Sequence, residues 1–427
     1  MSLFGSSGIR RVADQELLYL SVKVGLSLGR KYKSVVIGSD TRSSSESVKF
    51  ALISGLLAGG CRAYDAGIIP TPTLAFAARD FNAGIMVTAS HNPPEYNGLK
   101  LWNPDGSAFD ITQRNQIDED IQNNSLTTSV WEKMQQVKYY KEAIEKHMSY
   151  ILEYFSRSLL DLKVVVDCNC GAASLITPRL LTEMGCEVIA INSYNSSFFP
   201  HKIEPVAENL TGLAEIVQAS HASLGIAHDG DADRMVAIDR KGRYVPGDKL
   251  LAIFARNIKP GKLVTTIDTS MALDELNCKI VRTKVGDAFV SEELKKDGQF
   301  GGEPAGSWIF PEISYCPDGI YAAAQLAQIC RDYDLTELVD ALPSYPIMRG
   351  SIKNVSISLE EQERKLRTLN PLLVDKTDGI KLIFKDGWLL IRPSGTEPKV
   401  RLTVETKNLT STEMLYNTAV RMLTEDK

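Results

Sequence analysis

SVVIGSD, residues 34–40, is a short run of apolar, β-branched residues that ends in an aspartate. LKVVVD, residues 162–167, and KLVTTID, residues 262–268, have the same form. Each reads as a buried strand running into a loop. A second strand follows each one, entered through a cysteine: GCRAYDAG from Gly60, GCEVIAIN from Gly185 and NCKIVRTKVG from Asn277. Strand, connection and strand make a βαβ unit with parallel strands. The third connection, residues 269–277, is short, so any helix in it must be brief. Three such units predict an α/β fold of three related domains with mixed, mainly parallel sheets. The alternative is one large α/β domain whose segments resemble one another by chance.

The pattern changes after Pro343, Pro346 and Gly350. SIKNVSISL, residues 351–359, reads as a strand, and residues 360–368 as a charged helix. The turn Lys385-Asp386-Gly387 between the apolar runs 380–384 and 388–392 reads as a hairpin, with Asp-Gly as its signal. A strand at 400–405 and a helix at 411–424 complete a C-terminal α+β domain with a largely antiparallel sheet. The expected division is 1–150, 151–248, 249–345 and 346–427. At 427 residues the chain is longer than one core usually supports.

Composition narrows the function. A net charge of −5, with 44% hydrophobic and 24% charged residues, suits a globular protein and shows no basic stripe for nucleic acid. The first eleven residues, MSLFGSSGIRR, lack the apolar run of a signal peptide, and no stretch is long enough to span a bilayer. Seven cysteines are an odd number for a disulfide framework and fit a reducing cytoplasm. Cys168 and Cys170 have no second pair at zinc spacing, and read as core or strand-end residues.

Four loops carry candidate chemistry. TASHNPPEYNGLKL, residues 88–101, places Ser90 just past the apolar run GIMV, with His91 and Lys100 as candidate activating partners. A capping serine in a polar turn is the plainer alternative. HDGDADRMVAIDRKG, residues 228–242, alternates Asp229, Asp231 and Asp233. Three carboxylates on a curved loop suit Mg²⁺, a hard ion that prefers oxygen. Arg240 at the twelfth position excludes an EF-hand, and Arg234 allows the simpler reading of a partly neutralised surface turn. GGEPAGSWIFPE, residues 301–312, offers Glu303 as an acceptor for sugar hydroxyls, while Trp308, beside Ile309 and Phe310, reads as core. RPSGTEPKVR, residues 392–401, gathers Arg392, Ser394, the Gly395 amide, Thr396, Lys399 and Arg401, the ingredients of a phosphate cradle or of an ordinary turn.

TASHNP, DGDADR, the GGE loop and RPSGTEP, in that order, resemble the motifs of the α-D-phosphohexomutase superfamily, over essentially the whole chain. The resemblance implies four domains around a central cleft and a mutase that interconverts a hexose 6-phosphate and 1-phosphate. It implies that Ser90 carries the phosphoryl group and touches a Mg²⁺ held by Asp229, Asp231 and Asp233. A hexose 1,6-bisphosphate would be intermediate and activator. Lys100, Arg10 and His91 would lie near the transferred group, Glu303 and Ser307 at the sugar, and Arg392, Ser394, Gly395, Thr396 and Arg401 at the non-reacting phosphate. Two positions depart from the pattern. Ala305 and Ser307 stand where many relatives have a serine and a histidine, which removes a proposed base. Arg11 stands where a glycine is common and either binds phosphate or faces solvent.

The GGEP-Ala-Gly stretch followed by tryptophan is similar to archaeal-type phosphoglucosamine mutases, which points to glucosamine phosphate. Phosphomannomutase/phosphoglucomutase activity is the close alternative. A Mg²⁺-dependent sugar phosphatase and a non-catalytic phosphosugar-binding protein are the distant ones. The sequence leaves the oligomeric state open.

Overall fold

The computed structural model describes residues 3–5, 8–123, 125–155, 159–353, 358–393 and 399–424. Nineteen strands among these form four sheets. The first holds β1 (Ile9–Val12), β2 (Ser34–Ser39), β3 (Arg62–Ile68), β4 (Ala83–Val87), β5 (Tyr96–Trp102) and β6 (Lys138–Tyr139), in the order β1-β5-β4-β2-β3-β6. The second holds β7 (Lys163–Asp167), β8 (Glu187–Ile191), β9 (Leu224–His228) and β10 (Met235–Asp239), in the order β10-β9-β7-β8. The third holds β11 (Lys262–Thr266), β12 (Lys279–Thr283), β13 (Phe300–Gly302) and β14 (Trp308–Ile309), in the order β12-β11-β13-β14.

One topology therefore occurs three times. The strand of each repeated segment (β2, β7, β11) lies between two parallel neighbours, and a fourth strand adds antiparallel to the third. β2, β7 and β11 are almost wholly buried, which explains their continuous apolar runs. The connection from β11 to β12 is a single 3₁₀ stretch, Met271–Glu275, as its length requires.

The fourth sheet is antiparallel throughout: β15 (Ile347–Lys353), β16 (Leu373–Asp375), β17 (Ile380–Phe384), β18 (Gly387–Pro393) and β19 (Lys399–Thr406), in the order β15-β19-β18-β17-β16. The β17–β18 hairpin forms where expected, with a turn one residue shorter than Lys385–Gly387. Phe384 pairs with Gly387, so Lys385 and Asp386 make the turn and Gly387 begins the strand. Helix Leu409–Thr424 packs on this sheet around Ile352, Leu402, Val404 and Ala419.

The second and third sheets have separate strands but a continuous core. Helices Gly247–Ile258 and Gly319–Asp332 join Val164, Ile226, Phe254, Phe300 and Trp308 in one cluster. The sequence-derived limits at 150 and 248 fall inside helices Ala143–Tyr154 and Gly247–Ile258. Cys168 and Cys170 are buried, and all seven cysteines are free thiols. No described helix is long and apolar enough to cross a membrane.

Helices Gln15–Lys31 and Ser45–Ala58 cross at backbone contact. A Cβ on Gly55 would lie 2.1 Å from Val22 O, and one on Gly25 would lie 2.2 Å from Leu52 O. Gly55→Ala forces these helices apart and is expected to destabilise the first domain by about 1–3 kcal/mol. A thermal melt that matches the parent protein would contradict this.

Candidate active site

Each of the first three sheets delivers one loop at the same place, between its third strand and the antiparallel fourth. These are residues 88–95 between β4 and β5, 229–234 between β9 and β10, and 303–307 between β13 and β14. The loop of residues 394–398, between β18 and β19, lies outside the described residues, and with it Ser394, Gly395 and Thr396.

Ser90 is buried with φ 53°, a left-handed conformation unusual for a residue with a side chain. Its amide donates to Thr88 Oγ1 at 2.8 Å. Its carbonyl accepts from Arg42 Nη2 at 2.7 Å. The same guanidinium donates to the carbonyls of Asn92, Pro93 and Tyr96, and its Nε to Asp40 Oδ2 at 3.0 Å. Arg42 and Asp40 side chains are fully buried, so the serine loop is moulded around an ion pair from the end of β2. Sequence reading missed Arg42. Its signal was an Asp-x-Arg directly after the first repeated strand.

The side chain of Ser90 faces the second loop. Ser90 Oγ donates to Asp229 Oδ2 at 2.6 Å and lies 3.3 Å from His91 Nδ1. Asp229, Asp231 and Asp233 are all buried, and each offers one oxygen within 4.8 Å of the others. Lys100, on β5, donates to Asp231 Oδ2 at 2.7 Å and also to Asp233 Oδ2. Thr71 holds Asp231 with its hydroxyl at 2.5 Å and its amide at 2.8 Å. Thr71 is a second residue that sequence reading missed; PTPT, residues 70–73, carried no charged group to mark it.

The electrostatics follow from this crowding. Burial, then Asp233 and Asp231, push the Asp229 carboxyl well above its ordinary range. Burial and Asp231 raise Asp233 as well. Burial also acts to raise Asp231, but Lys100 and Thr71 outweigh it and hold Asp231 below the ordinary range. Burial opposes the charge on Lys100, yet Asp231 and Asp233 prevail and raise its pKa. Lys100 and Arg234 both act on the carboxylates as opposing charges. Asp231 Oδ1 and Asp233 Oδ1 are moreover buried without a hydrogen-bond partner. Hard oxygen donors within 4.8 Å of one another and two orphaned lone-pair sites fit a divalent cation.

His91 is pushed down to about 2 by burial and by Arg234, Arg10 and Lys100, so its imidazole is neutral. Arg10, on β1, donates to Asn92 Oδ1 at 2.8 Å and thereby joins the serine loop. Arg11 is half exposed and lies 3.7 Å from Glu16; of the two sequence readings, it is the solvent-facing one that this arrangement matches.

The third loop is tied to the second by backbone. Met235 N donates to Gly306 O at 2.9 Å, and Arg234 bridges Ser307. A Cβ on Gly306, with φ 98°, would lie 3.0 Å from Met235 O, so the contact suits glycine. Ser307 is buried, and its carbonyl accepts from Glu303 N at 2.9 Å. Trp308 is wholly buried and donates to Met235 O. Glu303 Oε1 accepts from Gly286 N at 2.8 Å, and burial with Asp287 and Asp268 raises its carboxyl to about 8.

Arg392 and Arg401 face one another across β18 and β19 and line a groove of about 290 Å³ with Arg349, Ser351, Thr403 and Asp268. Arg392 Nε lies 2.7 Å from Asp378 Oδ2, a close ion pair without hydrogen-bond alignment. Like charges directly opposed on a sheet are unfavourable, and Asp378 offsets that of Arg392. Ser90, His91, Lys100, Arg10 and the three aspartates thus meet in one cluster. Glu303 and Ser307 adjoin it through Arg234, and the two arginines form a groove of their own.

The phosphoglucomutase/phosphomannomutase family models match residues 1–128, 138–242 and 246–345 as its three alpha/beta/alpha domains and 356–415 as its C-terminal domain. The chain belongs to the phosphoglucomutase/phosphomannomutase family, within the α-D-phosphohexomutase superfamily. It is an enzyme, a phosphosugar mutase. It is 47% identical to a protein of Methanosarcina acetivorans named "Probable phosphoglucosamine mutase", over 100% of this chain and 99% of that one. It is 41% identical to a protein of Methanococcus maripaludis named "Phosphoglucosamine mutase", over 99% and 98%. Its fold matches that of a phosphoglucomutase/phosphomannomutase family protein from Burkholderia thailandensis with a TM-score of 0.89, at 26% identity, over 99% of this chain and 98% of that one.

Two outcomes follow from this geometry. Arg42→Leu leaves Asp40 as a buried unpaired charge and is expected to cost about 3–5 kcal/mol, part of which the double change Asp40→Leu/Arg42→Leu recovers; urea unfolding of the three proteins measures it. Glu303, with an ordinary value near 4.5, is raised to about 8 in the folded chain. The folded chain therefore binds this proton more tightly, and stability falls as pH rises from about 4.5 to about 8. Glu303→Gln is expected to flatten that slope in melts taken across the window; an unchanged slope would refute the assignment.

Proposed function

We propose that this enzyme interconverts glucosamine 6-phosphate and glucosamine 1-phosphate in the cytoplasm, with Ser90 as the phosphoryl carrier. The observation that supports it most is the seating of Ser90 Oγ 2.6 Å from Asp229 Oδ2, inside a buried carboxylate triad that Lys100 closes. The glucosamine reading is supported by the names of the full-length relatives and by the GGEP-Ala-Gly-Ser-Trp loop.

Asp229, Asp231 and Asp233 would hold Mg²⁺, with phospho-Ser90 as a further ligand. When bound, the ion offsets phosphoryl charge and makes phosphorus more electrophilic. The chain's own groups do the rest. The sugar hydroxyl oxygen forms its bond to phosphorus as the P–Oγ bond of phospho-Ser90 breaks. The hydroxyl proton is lost and Oγ regains one, so the transfer is proton-neutral overall. Lys100, which the triad keeps charged, and Arg10 stabilise negative charge on the moving group. In the return step Ser90 Oγ attacks the other phosphate of the bisphosphate. Asp229 Oδ2 is the acceptor that stands within reach of its proton, and neutral His91 lies beside it as a hydrogen-bond partner. Glu303 and Ser307 orient the sugar. Arg392, Arg401 and the residues 394–396 hold the phosphate that is not reacting, whose charge offsets the opposition of the two arginines. The four-domain division gives each domain one of these tasks.

Ser90→Ala is expected to lower mutase turnover by about 10⁴-fold or more. The assay supplies glucosamine, glucose and mannose 1-phosphates with and without the matching bisphosphate. Isomerised glucosamine phosphate as the preferred product supports the proposal. Faster turnover of glucose or mannose phosphate overturns the choice of sugar, and release of inorganic phosphate without isomerisation overturns the mutase mechanism.

A further inference from the structure

Away from the reacting groups, Thr73, His147 and Asp318 form a buried chain of hydrogen bonds. Thr73 Oγ1 lies 3.0 Å from His147 Nδ1, and His147 Nε2 lies 3.0 Å from Asp318 Oδ2. Thr73 and His147 are wholly buried and Asp318 is 1% exposed. The ring of His147 also stacks on Phe76, with centroids 5.0 Å apart. An imidazole that donates from Nε2 to the carboxylate and accepts at Nδ1 from the hydroxyl satisfies every group without water. The three residues come from three family domains: Thr73 from the first, His147 from the second and Asp318 from the third.

The helix at each end of this chain of hydrogen bonds touches the carboxylate loop. Thr73 shares the helix Thr71–Ala77 with Thr71, whose amide and hydroxyl hold Asp231. Two residues apart on a helix, the two side chains point about 200° apart, one toward the loop and one toward His147. At the other end, Asp318 Oδ1 caps helix Gly319–Asp332 by accepting from Tyr321 N at 2.8 Å. The first residue of that helix abuts the loop: a Cβ on Gly319 would lie 2.5 Å from Arg234 O and 2.7 Å from Ala232 O. Ala232 itself is held at φ 58°. One side chain thus ties together the two elements that touch the loop, one at Asp231 and the other at Ala232 and Arg234.

We infer that His147 is a positioning residue for Asp229, Asp231 and Asp233, acting through Thr73 and Asp318 to fix the spacing of the carboxylates that would hold the cation. This role presupposes the metal reading of the triad. Partners behind first-layer ligands commonly set metal affinity by about 10-fold or more. The test uses Mn²⁺ as probe and the full-length, unphosphorylated protein, with the dissociation constant measured by titration calorimetry and folding by thermal melt. Thr73→Val, nearly isosteric, and His147→Phe are each expected to weaken Mn²⁺ binding by about 10-fold, and the double variant by no more than either alone. Leu17→Ala, a core deletion in the first domain, is expected to lower the melting temperature and leave the constant unchanged. If His147→Phe does not fold, Thr73→Val decides. A constant within twofold of the parent in Thr73→Val, or an equal loss in Leu17→Ala, overturns the role. Absence of Mn²⁺ binding by the parent protein overturns the metal reading and this role with it.

Discussion

The site depends on one electrostatic constraint: three buried carboxylates within 4.8 Å of one another, on a loop that cannot neutralise them by itself. Close like charges in a poorly hydrated place are costly. Compensation arrives from the first domain, as the ammonium of Lys100, the hydroxyl of Thr71 and the hydroxyl of Ser90. The same demand that a cation satisfies therefore also fixes how the first two domains meet. Burial opposes the charge on Arg234, yet Asp229, Asp233 and Glu303 outweigh it and push its pKa up, so this arginine extends the network into the third domain. Charge compensation thus links Ser90, the acidic triad and Glu303, which come from three different sheets.

Much of this was legible in the chain itself. The repeated strands ending in Asp40, Asp167 and Asp268 gave the parallel sheets, because burial on two faces demands continuous apolar runs. The aspartates of the second loop stood out because their spacing is uneconomical unless something binds them. What stayed hidden was the support. Arg42 looks like a surface residue in sequence, and only the closed serine loop shows its carbonyl partners. Thr71, Thr73 and His147 carry no motif at all, since their partners lie 74 to 171 residues away or, for Thr71, 160. The shared core of the second and third domains was equally invisible, because periodicity marks which face of a helix is buried and not which sheet buries it.

The fourth domain is attached differently from the others. Trp388 and Leu390 pack against Ile267, and Glu405 accepts from Ser270 Oγ, Met271 N and Trp388 Nε1. Lys381 donates to Ile267 O and lies 4.0 Å above the Trp388 ring. Burial, with Arg282, lowers the pKa of this lysine to about 8. Trp388 and Arg392 alternate along the same side of β18, so a single sheet face carries the joint to the third domain and the arginine groove.

Three times in this chain, a parallel strand ends, a handful of residues turn, and an antiparallel strand returns. What differs is the cargo of the turn: a buried serine in one copy, three carboxylates in another, a single glutamate in the third. The strand ladders on either side carry the folding energy, and the turn between them is comparatively free to vary. Such a chassis separates the ability to fold from the ability to react. Repetition of one unit then supplies several dissimilar turns from the same strand pattern, without any new scaffold having to arise.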